Sequence, residues 1–276
     1  MQNQWRNSYR WILALIVLSQ WNLASAQDWA KERLEKSPRH GEWVVLEHEG
    51  RKVDAFVVFP EVAEKATAVV VIHEIFGLTD WVRGVADQLA EAGYIAIAPD
   101  LLSGAGPDGG NTSSFDSVDA ARKAIGSLPP DQITKDLNAA VAHVRELPAC
   151  NGKVVVTGFC WGGSQTFRFA TNNDSIKAAL PFYGSGPTAA TDIAKIKCPV
   201  VGFYGGNDAR VNATIPESDR LMIEADKNYE AVLYDGAGHG FMRAGEAPDA
   251  NEANRVGREK AWARLKEILE KVNRDG

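Results

Sequence analysis

Cysteine is scarce, with three in 276 residues. So few thiols cannot staple a chain of this length, and a hydrophobic core must hold it instead. No histidine or cysteine cluster has the spacing of metal ligands, and no metal or cofactor is expected. Basic runs are missing too, and the formal net charge is −6. That balance offers no phosphate footprint and excludes a nucleic-acid partner, although one or two local arginines could still serve an anionic small substrate. The apolar run Trp11 to Leu18 has eight residues, too short to span a hydrocarbon core of ~30 Å, and nothing later approaches that length. Internal repeats and long linkers are also lacking. What remains is ordinary for a globular chain, 45% hydrophobic and 24% charged, which excludes disorder and collagen-like structure.

Residues 1–26 read as an export signal. Arg6 and Arg10 form a basic start, the short apolar run follows, and Ala24-Ser25-Ala26 supplies a small-x-small cleavage site. Export to the periplasm or beyond is therefore expected, with residues 27–276 forming one domain and no membrane partner once the signal is removed.

Along that domain, strands alternate with helices. Glu42 to Glu49 and Lys52 to Phe59 read as an antiparallel pair joined at Gly50-Arg51. Ala68 to His73, Tyr94 to Ala98 and Lys153 to Thr157 are buried strands, with further strands at 178–182, 200–204 and 229–234. Helices are predicted at 29–36, 80–92, 130–147, 162–170, 216–227 and 253–272, and Gly93 should end the second. Residues 103–116 read as a polar, flexible loop. The pattern predicts an α/β fold, a mostly parallel sheet with helices on both faces and an antiparallel N-terminal hairpin.

Gly158-Phe159-Cys160-Trp161-Gly162-Gly163 falls between a strand and a helix, the context of a nucleophile elbow with cysteine in place of serine. A side chain two residues before or after the nucleophile would collide with its neighbours, hence Gly158 and Gly162. The helix N-terminus behind Cys160 favours thiolate. Of five histidines, only His239 lies in a loop after the last strand, where sites form in open sheets. Asp208, after the strand 200–204, would orient His239 as the third catalytic member, and Asp235 is its rival. The order Cys160, Asp208, His239 is that of the α/β-hydrolase fold. The oxyanion hole should use the N–H groups of Trp161 and Ile75. Glu74 is unusual beside a cysteine, because an unpaired carboxylate would raise the thiol pKa, so it needs a role or an ion-pair partner.

Two apparent signals carry less weight. Gly104 to Gly109 fits a dinucleotide pattern by letters, but no helix should begin there. Cys150 and Cys198 precede different strands, and the strand 178–182 should separate them, so a disulfide is not expected.

His73-Glu74-Ile75-Phe76-Gly77, Gly93-Tyr94 leading to Ala98-Pro99-Asp100-Leu101, the cysteine elbow, Phe182-Tyr183-Gly184 and Gly238-His239-Gly240-Phe241 together resemble the dienelactone hydrolase (carboxymethylenebutenolidase) family over roughly residues 42–272. The resemblance implies a hydrolase that opens a lactone or cleaves an ester through a Cys160-His239-Asp208 triad. It implies that Glu74 interacts with the cysteine and moves when substrate binds. It also implies arginines that hold a substrate carboxylate: Arg243, four residues after the histidine, with Arg122 as the candidate for a second. Tyr183 is taken as a substrate-binding residue on the same ground. The expected partner is a small lactone or ester, and the arginines allow it to carry a carboxylate. A general carboxylesterase with no carboxylate preference stays open, as does a degenerate binding protein. From the residues alone, Arg243 could instead pair with Glu246 or Asp249 on the surface.

Overall fold

The structure is a computed structural model and describes residues 28–274. The expected export signal at 1–26 lies outside the described residues.

Eight strands form one sheet: β1 (Gly41–His48), β2 (Arg51–Val58), β3 (Ala66–Ile72), β4 (Ile95–Pro99), β5 (Cys150–Phe159), β6 (Ala178–Phe182), β7 (Val200–Gly205) and β8 (Tyr229–Tyr234). Their order is β1-β2-β4-β3-β5-β6-β7-β8. β1 and β2 are antiparallel, β2 meets β4 antiparallel, and all other neighbours are parallel. The helices of eight residues or more are α1 (Asp28–Glu35), α2 (Asp80–Glu91), α3 (Val118–Gly126), α4 (Pro130–Glu146), α5 (Trp161–Ala170), α6 (Ile215–Glu224) and α7 (Glu252–Arg274).

β3 shows why its sequence is apolar without alternation. Val69 and Val71 face a core that includes Val85 and Leu89 of α2 and Leu265 of α7. Val70 and Ile72 face the other core, with Leu137 of α4 and Phe167 of α5. A central parallel strand is covered on both faces, so every position is buried. The end of α2 also follows the sequence. Gly93 adopts φ +94, the Gly93 N–H bonds the Ala90 carbonyl at 3.0 Å, and the Tyr94 N–H bonds that of Leu89 at 3.1 Å. This is a Schellman stop, which needs a residue free to take positive φ.

Three expectations change. The hairpin turn is Glu49-Gly50, one residue earlier than predicted, with His48 opposite Arg51. Both turn residues have positive φ, 48° and 77°. A two-residue hairpin turn of this type suits glycine there. The shift leaves Arg51 in the strand, where its guanidinium grips Asp136 of α4. Second, residues 103–116 form an ordered segment with 3-10 turns at Pro107–Gly109 and Thr112–Ser114. Asn111 donates to Asp54 at 2.6 Å, and Thr112 donates to Asp100 from its backbone N at 2.9 Å and its Oγ1 at 2.7 Å. A polar composition marked the segment as loop, but its polar groups bind protein. Third, α3 was not anticipated. It is short, capped by the Ser117 side chain, and buries only Ala121 and Ile125.

β6 does lie between β5 and β7, and Cys150 and Cys198 are both free thiols.

Asp136 ties the hairpin to α4. Its buried carboxylate accepts from Arg51 Nε at 2.8 Å and Nη2 at 3.0 Å, and sits 2.6 Å from His48 Nε2. Removing one partner of a buried charge cluster leaves the others uncompensated. Asp136→Ala should therefore lower the unfolding free energy by about 3 kcal/mol, at the low end because Arg51 and His48 keep some solvent. Urea titration with an unchanged m-value would check this, and a loss near zero would show that the cluster contributes no stability.

Candidate active site

The elbow follows from close packing around β5 and α5. Cys160 has φ 57 and ψ −115, a conformation that ordinary side chains avoid. Its N–H is held by the Phe182 carbonyl of β6 at 3.0 Å. A Cβ on Gly158 would strike the Gly162 carbonyl, one on Gly162 would strike the carbonyls of Ile72 and His73, and one on Gly163 would strike that of Phe182. The anticipated collisions at Gly158 and Gly162 are thus found, with the following helix and with β3 and the turn beyond it.

The three expected partners meet. His239 Nε2 lies 3.2 Å from Cys160 Sγ, and His239 Nδ1 lies 2.5 Å from Asp208 Oδ2. Asp208 is buried and also accepts from the Val211 N–H at 3.3 Å, which fixes its carboxylate across the turn after β7. His239 stands in the segment between β8 and the short helix Phe241–Ala244. The Gly238 N–H bonds Asn254 Oδ1 at 2.9 Å, and Gly240 takes φ +73, so the loop is anchored on both sides of the ring. The hydrogen bond to the Cys160 sulfur, joined by the bond to Asp208 and against the penalty of burial, raises the imidazole pKa to about 9.

Glu74 has the partner it needed. Arg243 Nε donates to its Oε2 at 2.8 Å, and the carboxylate is buried. Burial raises the Glu74 pKa, and the Arg243 charge opposes that shift. Arg243 thus pairs with neither Glu246 nor Asp249. Glu246 instead gathers Arg33, Trp81 and Gln88, and Arg258 lies 3.3 Å from it.

The remaining candidates fall into two groups. Trp161 is the first residue of α5, whose first-turn amides have no intrahelical acceptor. Its ring stacks on His73 at 5.6 Å. Ile75 packs beside it against Leu102, Ala121 and Ile125. Arg122, on α3, places its guanidinium carbon 5.6 Å from the centre of the Phe76 ring, and that of Arg243 lies 5.4 Å from the same ring. Both arginines therefore flank Phe76, although Arg122 is half exposed and 3.6 Å from Asp119. Tyr183, taken above as a substrate-binding residue, lies in the interior. It is 1% exposed, with φ 39, and its ring lies edge-on to His239 at 5.2 Å. Its hydroxyl has no hydrogen-bond partner among the described residues.

Two supporting residues escaped the sequence reading. His73 is wholly buried, and its Nε2 accepts the Leu101 N–H at 3.2 Å. Thr112 Oγ1 accepts the Leu78 N–H at 3.0 Å while donating to Asp100. It thereby braces the end of the 74–77 turn. Neither has a local pattern, because each acts through a residue distant in sequence. Among the described residues, no group of three or more His, Cys, Asp or Glu side chains is placed to hold a metal.

The parallel sheet, its strand-turn-helix elbow and the loop positions of Asp208 and His239 define an α/β-hydrolase-type fold. The chain belongs to the Dienelactone hydrolase family, whose profile matches residues 53–273. A protein of Saccharolobus solfataricus, provisionally named carboxymethylenebutenolidase, is 30% identical over 84% of this chain and 98% of its own. One of the same provisional name from Salmonella typhimurium is 32% identical over 79% of this chain and 83% of its own. The crystal structure of a provisionally named dienelactone hydrolase from Klebsiella pneumoniae superposes with TM-score 0.73 at 24% identity, covering 84% of this chain and 98% of that one, and shows the common fold. By family, the protein is a hydrolase acting on ester bonds.

The histidine pKa gives a direct test. The ring should stay protonated through neutral pH and titrate near 9, followed by NMR of its Cε1 proton. Because the sulfur contact is the largest cause, Cys160→Ala should move the midpoint down. The sign for stability follows: a raised pKa stabilises the fold below the unfolded value of ~6.5, and that contribution is lost as pH rises through about 9. A midpoint unmoved by Cys160→Ala would separate the two groups electrostatically.

Proposed function

We propose that this chain is an exported hydrolase that opens a lactone or cleaves a carboxylic ester through Cys160. The observation that carries the reading is the unbroken line Asp208–His239–Cys160, with separations of 2.5 and 3.2 Å, ending at a strained elbow. The Cys160 thiolate attacks the carbonyl carbon, and the N–H groups of Trp161 and Ile75 receive the oxyanion. As the tetrahedral centre collapses, the C–O bond breaks and the His239 imidazolium protonates the departing alkoxide. His239, now neutral, takes a proton from water, and the resulting hydroxide attacks the thioester and releases the acid and the thiolate. Asp208 keeps the imidazole in one orientation throughout.

The substrate-side reading is an anion recognised at Arg243. In the resting arrangement Glu74 occupies that guanidinium at 2.8 Å. A substrate carboxylate would compete for the same donors and free Glu74 to act on the thiol, as the family resemblance implies. Arg122, across the Phe76 ring, supplies a second positive charge. The alternative, a carboxylesterase indifferent to charge, draws on the same Glu74 contact, since an arginine already neutralised has less need of an anionic ligand.

Export is supported by the basic, apolar and small-residue order of residues 1–26. Sequencing the protein from the exported fraction should find Gln27 first, and a retained Met1 would defeat cleavage at this site.

Paired kinetics decide the substrate. Cys160→Ala should abolish turnover of lactones and esters alike without loss of fold, and a variant that kept most of its kcat would overturn the mechanism. Arg243→Ala should lower kcat/KM for a carboxylated lactone by about 10- to 150-fold relative to its effect on a neutral aryl acetate, from a charged hydrogen bond of ~1.5–3 kcal/mol. Equal losses on both substrates would favour the charge-indifferent esterase. Arg243→Lys should recover part of the loss, because a point charge cannot form the planar fork.

A further inference from the structure

One groove on the described surface is lined by neither Cys160 nor His239. It holds about 740 Å³ and runs from Phe76 and Arg243 to the outer face of the hairpin at Trp43 and Val45, with Val118 on its other wall. Six large apolar side chains stand exposed among the described residues, and three of them, Trp43 at 52%, Val45 at 54% and Val118 at 37%, line this one groove. Scattered apolar residues on a surface are ordinary, but a cluster in a concavity marks a binding site.

Its charged groups are already matched. Asp80 pairs with Arg83, Asp54 accepts from Asn111, Asp100 accepts from Thr112 and the Leu102 N–H, and Arg243 is held by Glu74. What is left for a ligand is an apolar, aromatic floor. Trp43 is fixed for that purpose, tilted against Phe56 at 5.5 Å, with the Arg83 guanidinium carbon 5.5 Å from each ring centre. One end of the groove is lined by residues that neighbour the candidate centre. Arg243 lines the groove and binds Glu74, and Phe76 follows Ile75, the second oxyanion donor proposed above.

We propose that this groove is the distal subsite of the hydrolytic centre and seats a neutral aryl group of the substrate, an inference that rests on reading Cys160, His239 and Asp208 as that centre. The occupant is part of the substrate because Arg243, which binds Glu74, and Phe76, which follows Ile75, place this end of the groove beside the carbonyl site. It is neutral because, beyond Arg243, the charged groups of the groove are already held within the protein, Asp54 by Asn111, Asp80 by Arg83 and Asp100 by Thr112. It is aromatic because Trp43, 52% exposed in the groove, offers an indole surface against which a flat group gains contact beyond its buried area.

The test compares two matched pairs by pH-stat, ethyl butanoate with ethyl 4-phenylbutanoate, and butyl acetate with 4-phenylbutyl acetate. In the wild type at least one phenyl ester should exceed its parent in kcat/KM. That ratio should fall about three- to tenfold in Trp43→Ala, the loss expected for an aromatic contact. Val118→Asp, on the opposite wall and in the first turn of α3 where an acidic residue suits the helix, should lower the same ratio. A phenyl ratio of one, or a ratio that survives both variants, overturns the proposal. So does a change in oligomeric state by light scattering with the ratio intact, which would make the groove a contact between copies. If the folded wild type turned over none of the esters, the reading of the centre would fail separately. Calorimetric binding of 4-phenylbutyramide, weaker in Trp43→Ala, would then still support the groove, and equal binding or none would overturn it.

Discussion

The site depends on one steric constraint, the passage from β5 into α5 through a non-glycine residue at positive φ. Such a residue costs roughly 1–3 kcal/mol and persists only where its surroundings over-determine it. Here they do. Carbonyls of Ile72 and His73 beyond one side, and of Phe182 on the other, approach so closely that Gly162 and Gly163 admit no Cβ. The Cys160 N–H is tied to the same Phe182 carbonyl. Relaxing the elbow would therefore require β3 or β6 to move, and each of those strands is buried along its whole length. The strain places the sulfur above the sheet edge, at the start of α5.

Electrostatics then sets what may stand near that sulfur. Glu74 lies on the turn after β3, the strand next to β5, and its carboxylate is buried. Left alone, a buried carboxylate is costly and takes up a proton. Arg243 supplies the opposing charge from the far end of the sheet, just after the histidine loop. The pair therefore links the turn after β3 to the segment that carries His239. It also means that Arg243 and Glu74 are not independent residues. Any anion that recruited the arginine would also change the surroundings of the carboxylate.

Much of this was legible in the sequence. The glycines at 158, 162 and 163 each stand at a close backbone approach, and only such approaches make that spacing necessary. The helix stop at Gly93 and the continuous apolar strand β3 are local signals with local causes. The turn at Glu49-Gly50 was misplaced by one residue because composition alone does not say which neighbour of a glycine takes positive φ. The order in residues 103–116 was invisible for a different reason: Asn111 and Thr112 satisfy Asp54 and Asp100, partners that only the folded sheet brings near. Glu74 was recognised as needing a partner, but the identity of Arg243 as that partner depends on a contact across 169 positions of sequence. Tyr183 is a substrate-binding residue by resemblance, and its φ of 39 and its ring edge-on to His239 emerge only in the fold.

That buried tyrosine answers a problem of distance. β5 and β8 are separated by β6 and β7, so three inter-strand steps of ~4.8 Å, about 14 Å in all, divide the cysteine strand from the one preceding the histidine loop. The loop must fold back over the ends of β6 and β7, and without support beneath it the ring could not hold a 3.2 Å approach to sulfur. Asp208, at the end of β7, secures the far nitrogen from below. Tyr183, at the end of β6, fills the remaining gap with its ring edge-on to both His239 and Phe241. Each intervening strand thus contributes one support. The order of strands in the sheet sets the order of side chains above it: Cys160 after β5, Tyr183 after β6, Asp208 after β7 and His239 after β8.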